Sequence, residues 1–184
     1  MDFDRFKEFN DTFGHAKGDQ LLIDAANRLE GCIRQADTVA RLGGDEFTII
    51  LSEFDDVDHT NKAAVERVAN NILHQLSRPF KLDNEEVYIS ASLGIAFYPE
   101  DAADSDALYK AADQAMYAAK KQGKNCFQYF SSSMQEEALA RVQLVKELHT
   151  AIDEQQFILQ YQPIVDMKTG LISKAEALIR WHHP

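Results

Sequence analysis

The sequence predicts a mixed α/β (α+β) domain in which a central β-sheet of βαββαβ order is flanked by helices. Three observations lead to this fold class. Apolar residues recur at helical spacing in several segments, short runs rich in β-branched and aromatic residues lie between them, and glycine or proline stands where one kind of segment ends. Strands that alternate with amphipathic helices favour a sheet whose faces are covered by those helices.

Three amphipathic helices are predicted in this domain. Leucine and alanine share one face over Gly18–Gln35, and a second apolar face runs from about Lys62 to Leu76, with Pro79 just beyond its end. The third helix, about Ser105–Gln122, is rich in alanine. It should end at Gly123, because glycine is the residue that most easily adopts the left-handed conformation after a helix.

Four short β-prone runs lie between the helices. They are Thr38–Leu42, Phe47–Leu51, Val87–Tyr98 and Cys126–Phe130. The glycine pair Gly43–Gly44 between the first two runs is typical of a tight hairpin, so the acids that follow it, Asp45 and Glu46, should lie at an exposed turn. The pair Asp83–Asn84 is a turn signal before the third run.

The serine run Ser131–Ser133 predicts a domain boundary. Residues 1–130 would form the first domain, and 131–156 a linker helix with an amphipathic pattern over Gln135–Gln155. Residues 157–184 would begin a second domain with a hairpin. The β-prone runs of that hairpin are Phe157–Val165 and Leu171–Trp181.

Composition excludes several classes of protein. The chain has 184 residues, with 19 Lys and Arg against 30 Asp and Glu, a net charge of -11 that argues against nucleic-acid binding and against contact with an anionic membrane. Its two cysteines, Cys32 and Cys126, have no zinc-site spacing and suit a reducing cytoplasm. We expect neither a signal peptide nor a spanning segment here, so any membrane anchor would lie outside this chain.

The motif Arg41–Phe47, RLGGDEF, carries the strongest chemical signal. Taken alone, it could be a hairpin with two solvated acids. A second acidic element, Asp2-Phe3-Asp4, ends an apparent strand, and a sheet can bring a strand end and a hairpin together. Asp2, Asp45 and Glu46 would then offer the hard oxygen ligands that suit Mg²⁺ bound with nucleotide phosphates.

Four blocks of the sequence resemble the GGDEF family of diguanylate cyclases. They are DFDRFKEFNDTFGHAKGD (2–19), RLGGDEF (41–47), SLGIAFYPED (92–101) and ADQAMYAAKKQGKN (112–125). Their order and spacing resemble the family from Asp2 to about Phe130. The resemblance implies a nucleotidyl-cyclase-like fold and a bacterial signalling enzyme that condenses two GTP into cyclic di-GMP, with Mg²⁺ or Mn²⁺ and as a homodimer.

The resemblance also implies roles for individual residues. Asp2, Asp45 and Glu46, with the carbonyl of Phe3, would hold the divalent ions. Asp45 and Glu46 would be catalytic, and Glu46 would also help to deprotonate the attacking 3′-hydroxyl.

Substrate contacts are implied in the same way. Asn10 and Asp19 would bind the guanine edge, while Lys120 and Lys124 would bind phosphate together with the backbone amides around Asp4–Lys7. Without the family, simpler interpretations stand: a turn residue for Asn10, a helix N-cap for Asp19, and a solvated helix end for the two lysines.

The string RxxD, Arg34 to Asp37, precedes the hairpin. As a bare string it is usually a surface ion pair. At this offset it resembles the product-binding inhibitory site of the family, with Arg67 on the next helix as a further contact, since arginine can bind guanine or phosphate in a forked geometry.

Residues Tyr161–Pro184 resemble the start of an EAL phosphodiesterase domain, in which Glu176 would be a metal ligand. Glu176 alone could not hydrolyse anything. The helix and the LTGLPNR-like segment that precede the first strand in the family are absent, so we expect this stretch alone to be inactive or weak. The parent would be a GGDEF-EAL tandem protein. Two alternatives stay open: a GTP- or cyclic di-GMP-binding regulatory domain, and a protein whose net activity is phosphodiesterase.

Overall fold

The computed structural model describes residues 1–52, 60–83 and 85–183. It divides into two compact units, Met1–Gln135 and Glu136–Pro184, which are considered separately. The domain limits predicted at residues 130 and 156 stay predictions.

The first unit is built on a five-stranded sheet. Its strands are β1 Asp2–Phe3, β2 Thr38–Gly43, β3 Glu46–Ile50, β6 Ala91–Ile95 and β7 Phe127–Tyr129, and β4 Phe80–Leu82 with β5 Glu85–Val87 forms a separate hairpin. The helices are α1 Phe6–Phe13, α2 His15–Glu30, α3 Thr60–Leu76 and α4 Ser105–Lys121. The strand order is β2-β3-β1-β6-β7, with β6 and β7 parallel and the other pairs antiparallel. The predicted fold class, a helix-flanked central sheet, is confirmed.

The two-residue strand β1 occupies the middle of the sheet. Asp2 lies opposite Glu46 on one side and opposite Ser92 on the other. Phe3 is 1% exposed, and its ring packs edge-on against Phe47 with ring centroids 6.2 Å apart. The acidic strand end is therefore held in place by neighbours on both sides and by a buried aromatic residue.

The core lies between the sheet and the apolar faces of the helices. Its largest fully buried apolar side chains are Phe3, Leu21, Leu29, Leu76, Phe80 and Leu82. Burying one such side chain stabilises the fold by about 1.5–3 kcal/mol, so the helical periodicity seen in the sequence accounts for how α2 and α3 pack.

One glycine sets the distance between α4 and the sheet. A Cβ on Gly94 of β6 would lie 1.9 Å from the carbonyl oxygen of Ala112 and 2.3 Å from the backbone nitrogen of Met116. These distances are shorter than atoms can approach, so α4 crosses β6 at a place where only glycine fits.

Arg28 joins the end of α2 to the chain that follows α3. Its guanidinium donates to the carbonyl oxygens of Gln75, Arg78 and Pro79 at 2.8, 2.8 and 2.6 Å. It also lies 3.6 Å from the ring centroid of Phe80, in a cation–π contact. One side chain thus satisfies a carbonyl in the last turn of α3 and two carbonyls of the chain just beyond it.

Two predicted boundaries were wrong. The first helix was expected over Gly18–Gln35, whereas α2 begins at His15 and stops at Glu30, because Gly31 ends it and the Cys32 N–H bonds back to the Leu29 carbonyl. Cys32 therefore fits the apolar spacing of the predicted helix although it lies beyond the end of α2.

The run Val87–Tyr98 is not one strand. It is divided between β5 and β6, which belong to different sheets, and β4 was not predicted at all. The Ser90 carbonyl accepts from the Asp4 N–H at 2.8 Å, so the chain leaves the small hairpin there and joins β1. The expected turn at Asp83–Asn84 falls partly on Asn84, which lies outside the described residues.

The second unit contains most of a long helix and a hairpin. Helix α5, Ser132–Asp153, begins just before the unit, and strands β8 Phe157–Val165 and β9 Ile172–Trp181 pair antiparallel. The predicted hairpin is therefore confirmed. In its turn, Asp166 accepts from the N–H groups of Lys168 and Thr169, and these bonds lower the pKa of the Asp166 carboxyl. Within the described ranges, no helix has the length and apolar character to cross a bilayer.

Candidate active site

Three acids occupy neighbouring backbone positions at one end of the sheet. Asp2 and Glu46 are cross-strand partners, and Asp45 occupies the turn that immediately precedes β3. That turn has the geometry its glycine pair predicted: Gly44 has a φ of 53°, and Arg41 Nε donates to its carbonyl oxygen at 2.9 Å. The structure therefore brings together the acidic elements of strand and hairpin.

Lys120 forms an ion pair with this acidic cluster. Its Nζ lies 2.5 Å from Asp2 Oδ1. Burial, followed by the charge of Asp2, raises the pKa of the Asp45 carboxyl, and Lys120 only partly opposes this effect. Tyr109 Oη lies 3.5 Å from Glu46 Oε2, and burial and the charge of Glu46 raise the pKa of that phenol. Negative charge is thus in excess at this end of the sheet.

The cluster suits a divalent cation by its chemistry rather than by a preformed cage. In the part of the chain that the structure describes, no three His, Cys, Asp or Glu side chains converge in a metal-binding arrangement. The donors are nevertheless carboxylate oxygens on two adjacent strands and the turn before β3, with negative charge in excess, and Mg²⁺ and Mn²⁺ prefer such donors. Phe3, whose carbonyl is the other implied ligand, follows Asp2 in β1.

A cleft of about 490 Å³ opens where α1 begins. It is lined by Asp4, Arg5, Glu8, Phe9, Thr12, Phe13, Tyr88, Ile89, Ser90, Gly123, Lys124 and Asn125. The prediction that backbone amides from Asp4 to Lys7 bind phosphate was wrong for Asp4, because its N–H already donates to Ser90 O at 2.8 Å. The amides of Phe6 and Lys7 lie in the first turn of α1, where N–H groups lack helical partners.

The two residues expected to bind guanine lie on neighbouring helices. Asn10 belongs to α1, and its Oδ1 is so close to Gly18 that a Cβ there would lie 1.9 Å away. Asp19, the next residue, is exposed on α2. Neither simpler interpretation holds, since Asn10 is not in a turn and Asp19 is inside a helix. Asn10 Oδ1 is buried and has no hydrogen-bond partner among the described residues.

The two lysines occupy different places. Lys120 is on α4 beside Asp2, whereas Lys124 follows the helix and lines the cleft. Gly123 has a φ of 125°, in agreement with the predicted helix terminator. The structure therefore places one cation at the acids and the other at the cleft.

The RxxD residues lie in a separate pocket of about 230 Å³. It is lined by Cys32, Arg34, Asp37, Leu51, Ala64, Arg67, Val68 and Asn71. The two arginines and the aspartate thus come together, as the sequence led us to expect. Both oxygens of Asp37 accept from backbone N–H groups, those of Arg34 at 2.9 Å and Ser52 at 3.0 Å, so Asp37 also anchors the local chain.

Sequence reasoning missed the network around Asp4. This carboxylate is buried and accepts from Ser90 Oγ, Ser92 Oγ and the Asn125 N–H. The spacing of Asp2 and Asp4, two residues apart at a strand end, was the available signal, because such residues share one face of a strand. Glu176 lies in β9 opposite Gln162 and is exposed.

The comparisons with known proteins agree with this architecture. The model of the family "Diguanylate cyclase, GGDEF domain" matches residues 1–126, and the model of the EAL domain matches residues 145–184. The chain is 42% identical over 184 residues to the bifunctional diguanylate cyclase/cyclic di-GMP phosphodiesterase MucR of Pseudomonas aeruginosa. That match covers 100% of this chain and 26% of MucR, so the chain spans about a quarter of this relative's length.

Two solved structures are similar to the first unit. A mutant of TpbB (YfiN) from Pseudomonas aeruginosa that comprises only the GGDEF domain has a TM-score of 0.69 at 40% identity, covering 75% of this chain and 78% of its own. The GGDEF domain of DgcB from Caulobacter crescentus, in complex with c-di-GMP, has a TM-score of 0.59 at 31% identity, covering 70% and 73%. The chain belongs to the GGDEF family of diguanylate cyclase domains, and the start of an EAL domain follows in its sequence.

Proposed function

We propose that the protein containing this chain is a diguanylate cyclase, which condenses two GTP molecules into cyclic di-GMP and pyrophosphate. The observation that carries the proposal is the pairing of Asp2 with Glu46, next to Asp45, at one end of a GGDEF-family sheet. A domain that only bound nucleotide would have no need of acids at all three of these positions.

The acids would serve positioning and proton transfer. In each step the 3′-oxygen of one GTP bonds to the α-phosphorus of another, the bond from that phosphorus to the leaving pyrophosphate breaks, and Glu46 receives the 3′-hydroxyl proton. Mg²⁺ or Mn²⁺, held by Asp2, Asp45, Glu46 and the Phe3 carbonyl, would supply charge neutralisation at the phosphates. Lys120 is close enough to the acids to contact a phosphate there.

Binding would use the cleft and the two helices beside it. Lys124 and the first amides of α1 would contact the outer phosphates, since helix N-termini and ammonium groups both attract anions. Asn10 would offer its buried Oδ1 to the guanine amino group, and Asp19 would accept from a guanine N–H. This division assigns reaction to the acids and recognition to the cleft.

The reaction needs two nucleotides, so we propose that two domains face each other as a homodimer, each contributing one GTP. Cyclic di-GMP would also bind the pocket of Arg34, Asp37 and Arg67 and restrain that pairing. The c-di-GMP complex of the DgcB domain supports product binding in this family. We propose no nucleic-acid partner and no membrane contact for this segment.

A regulatory role is the second candidate, and it is favoured by the EAL match and by the phosphodiesterase activity in the name of MucR. In that case the GGDEF domain would bind GTP or cyclic di-GMP and control the EAL domain without making product. A wild-type protein that binds GTP, forms no cyclic di-GMP and changes its phosphodiesterase rate with GTP would establish this alternative.

The deciding experiment is Glu46→Gln in the full-length protein, assayed with GTP and Mg²⁺ while cyclic di-GMP is separated from its linear precursor. The substitution keeps the shape of the side chain and removes its charge and its ability to accept a proton. The rate of cyclic di-GMP formation should therefore fall by about a thousandfold or more while the fold is unchanged. Glu86→Gln, an exposed glutamate on β5, is the matched control and should retain full activity. Equal product from wild type and Glu46→Gln would remove the catalytic assignment.

A further inference from the structure

The carboxylate of Asp4 is buried and accepts three hydrogen bonds from other residues of the domain. Asp4 is 5% exposed and directly follows β1. Its Oδ1 accepts from Ser92 Oγ at 2.7 Å, and its Oδ2 accepts from Ser90 Oγ at 2.6 Å and from the Asn125 N–H at 3.1 Å. A carboxylate, which accepts at both oxygens, is the side chain that matches three converging donors.

The Asn125 N–H belongs to a turn with an unfavourable backbone. After α4, Gly123, Lys124 and Asn125 all have positive φ, at 125°, 67° and 48°. Residues with a Cβ rarely adopt this conformation, and it persists only where surrounding contacts impose it. Three contacts do so here: the Lys124 N–H donates to Ala119 O at 3.1 Å, the Asn125 N–H donates to Asp4 Oδ2, and Asn125 Oδ1 accepts from Ser77 Oγ at 3.1 Å.

This turn determines where Lys124 lies. Lys124 lies in the middle of the turn, and both it and Asp4 line the cleft of about 490 Å³ at the start of α1. If Asp4 released Asn125, the strained turn would lose the only one of its three contacts that holds the Asn125 backbone, and Lys124 would shift as the turn relaxed. The carboxylate next to the central strand is thus connected to a cation 120 positions later through a single backbone N–H.

We propose that Asp4 is a positioning residue, which holds the Gly123–Asn125 turn and thereby keeps the ammonium group of Lys124 at the cleft. The role rests on the proposed function, in which Lys124 contacts a nucleotide phosphate. Asp4 acts through the Asn125 backbone and not as a metal ligand, although it belongs to the same acidic element as Asp2.

Asp4→Asn in the full-length protein tests this role. The amide nitrogen replaces one accepting oxygen with a donor, so it cannot satisfy the same three partners. We expect faster hydrogen exchange at the Asn125 amide. We also expect the KM for GTP to rise about tenfold while kcat changes by less than about twofold. This pattern is expected when the lost interaction stabilises the bound substrate and the transition state equally.

Coupling to Lys124 distinguishes positioning from general stability. In a Lys124→Met background, Asp4→Asn should leave KM unchanged, because the ammonium that it positions is already gone. Ser92→Ala is the matched control, since it removes a hydrogen bond to Oδ1 of the same carboxylate, whereas the turn is bonded to Oδ2. It should lower the free energy of unfolding and leave KM and Asn125 exchange unaltered.

Three results would overturn the proposal. They are unchanged Asn125 exchange in Asp4→Asn, an equal KM increase with and without Lys124, or the same changes in Ser92→Ala. Failure of the proposed function gives a different pattern, because a wild-type protein that neither binds nor converts GTP removes the role of Lys124, and with it this role of Asp4, whatever the exchange rates are.

Discussion

Lys120 Nζ lies 2.5 Å from Asp2 Oδ1, so a cation on α4 is bonded to the acid that pairs with Glu46 across the central strands. The ion pair is partly buried, with 29% of the lysine side chain and 13% of the aspartate side chain exposed. Within the described residues, neither Asp45 nor Glu46 has such a partner. A divalent ion bound at Asp2 would therefore compete with Lys120 for the same oxygen.

That competition gives the first prediction. In the absence of metal, Lys120→Met should lower the free energy of unfolding by about 1–3 kcal/mol, because a mostly buried carboxylate loses its donor. Added Mg²⁺, without nucleotide, should stabilise the variant more than it stabilises the wild type. Urea unfolding with and without Mg²⁺ measures both effects.

Lys121→Met is the control for this series. The Lys121 ammonium lies 4.6 Å from the Tyr117 ring centroid, and the side chain is exposed. Its loss should change stability little and leave the response to Mg²⁺ at the wild-type level. Identical Mg²⁺ responses in all three proteins would contradict the competition.

The second prediction concerns Asp45, whose pKa is raised above the usual 3.8 by burial and by the charge of Asp2. The folded state then binds a proton more tightly than the unfolded chain, so ionised Asp45 costs stability above the raised pKa, and the cost disappears as pH falls through it. At pH 7 without metal, Asp45→Asn should therefore stabilise the fold by about 0.5 kcal/mol, a small gain because water screens a half-exposed charge.

Urea unfolding at neutral pH and at a pH below 3.8 tests this sign. The advantage of Asp45→Asn should be present at neutral pH and absent in acid, where the wild-type carboxyl carries a proton. A variant that is less stable than wild type at neutral pH would show that the ionised Asp45 carboxylate does not destabilise the fold.

The third prediction concerns product inhibition. Arg34→Ala should weaken binding of cyclic di-GMP by about ten- to a hundredfold, because a forked contact to guanine contributes roughly 1–3 kcal/mol. Turnover at low product should be nearly unchanged. Calorimetric titration of cyclic di-GMP into both proteins measures the difference, and equal affinities, or no binding to either, would remove the site.

Arg34 is a cleaner target than Asp37. The Asp37 carboxylate accepts from the backbone N–H groups of Arg34 and Ser52, so its removal would loosen the chain itself. Arg67→Ala on α3 is the independent second variant and should also weaken product binding.

The fourth prediction is a structural one. Arg28→Lys should destabilise the domain by about 2 kcal/mol, since an ammonium cannot donate to the carbonyls of Gln75, Arg78 and Pro79 and also stack on Phe80. Arg78→Lys is matched to it, because the Arg78 guanidinium donates only to the side chain of Gln75 among the contacts described. Chemical unfolding of both variants gives the comparison, and equal losses would contradict the role given to Arg28.

Local patterns were enough to predict much of this fold. The glycine pair before Asp45 indicated the hairpin, apolar periodicity indicated α2, α3 and α4, and Gly123 indicated the end of α4. Each of these signals acts within a few residues, where turn and helix preferences are physically determined.

The remainder depends on distant partners. Asp4 and Asn125 are 121 positions apart, and the Val87–Tyr98 run was divided because Ser90 bonds to Asp4. Its apolar pattern was equally consistent with one long strand. The family resemblance implied site roles for these acids and lysines, but it did not reveal that Lys120 is bonded to Asp2.

Gly94 also affects where two lysines lie, one in α4 and one in the turn that follows this helix. The helix rests on a position that lacks a side chain, and it carries Lys120 near its end and leads directly into Lys124. A single added methyl group would act as a spacer, moving both ammonium groups away from Asp2 and the cleft at once. Because Coulomb attraction weakens with distance, the close packing of α4 on Gly94 also determines how strongly these ammonium groups attract anions at the acids and in the cleft.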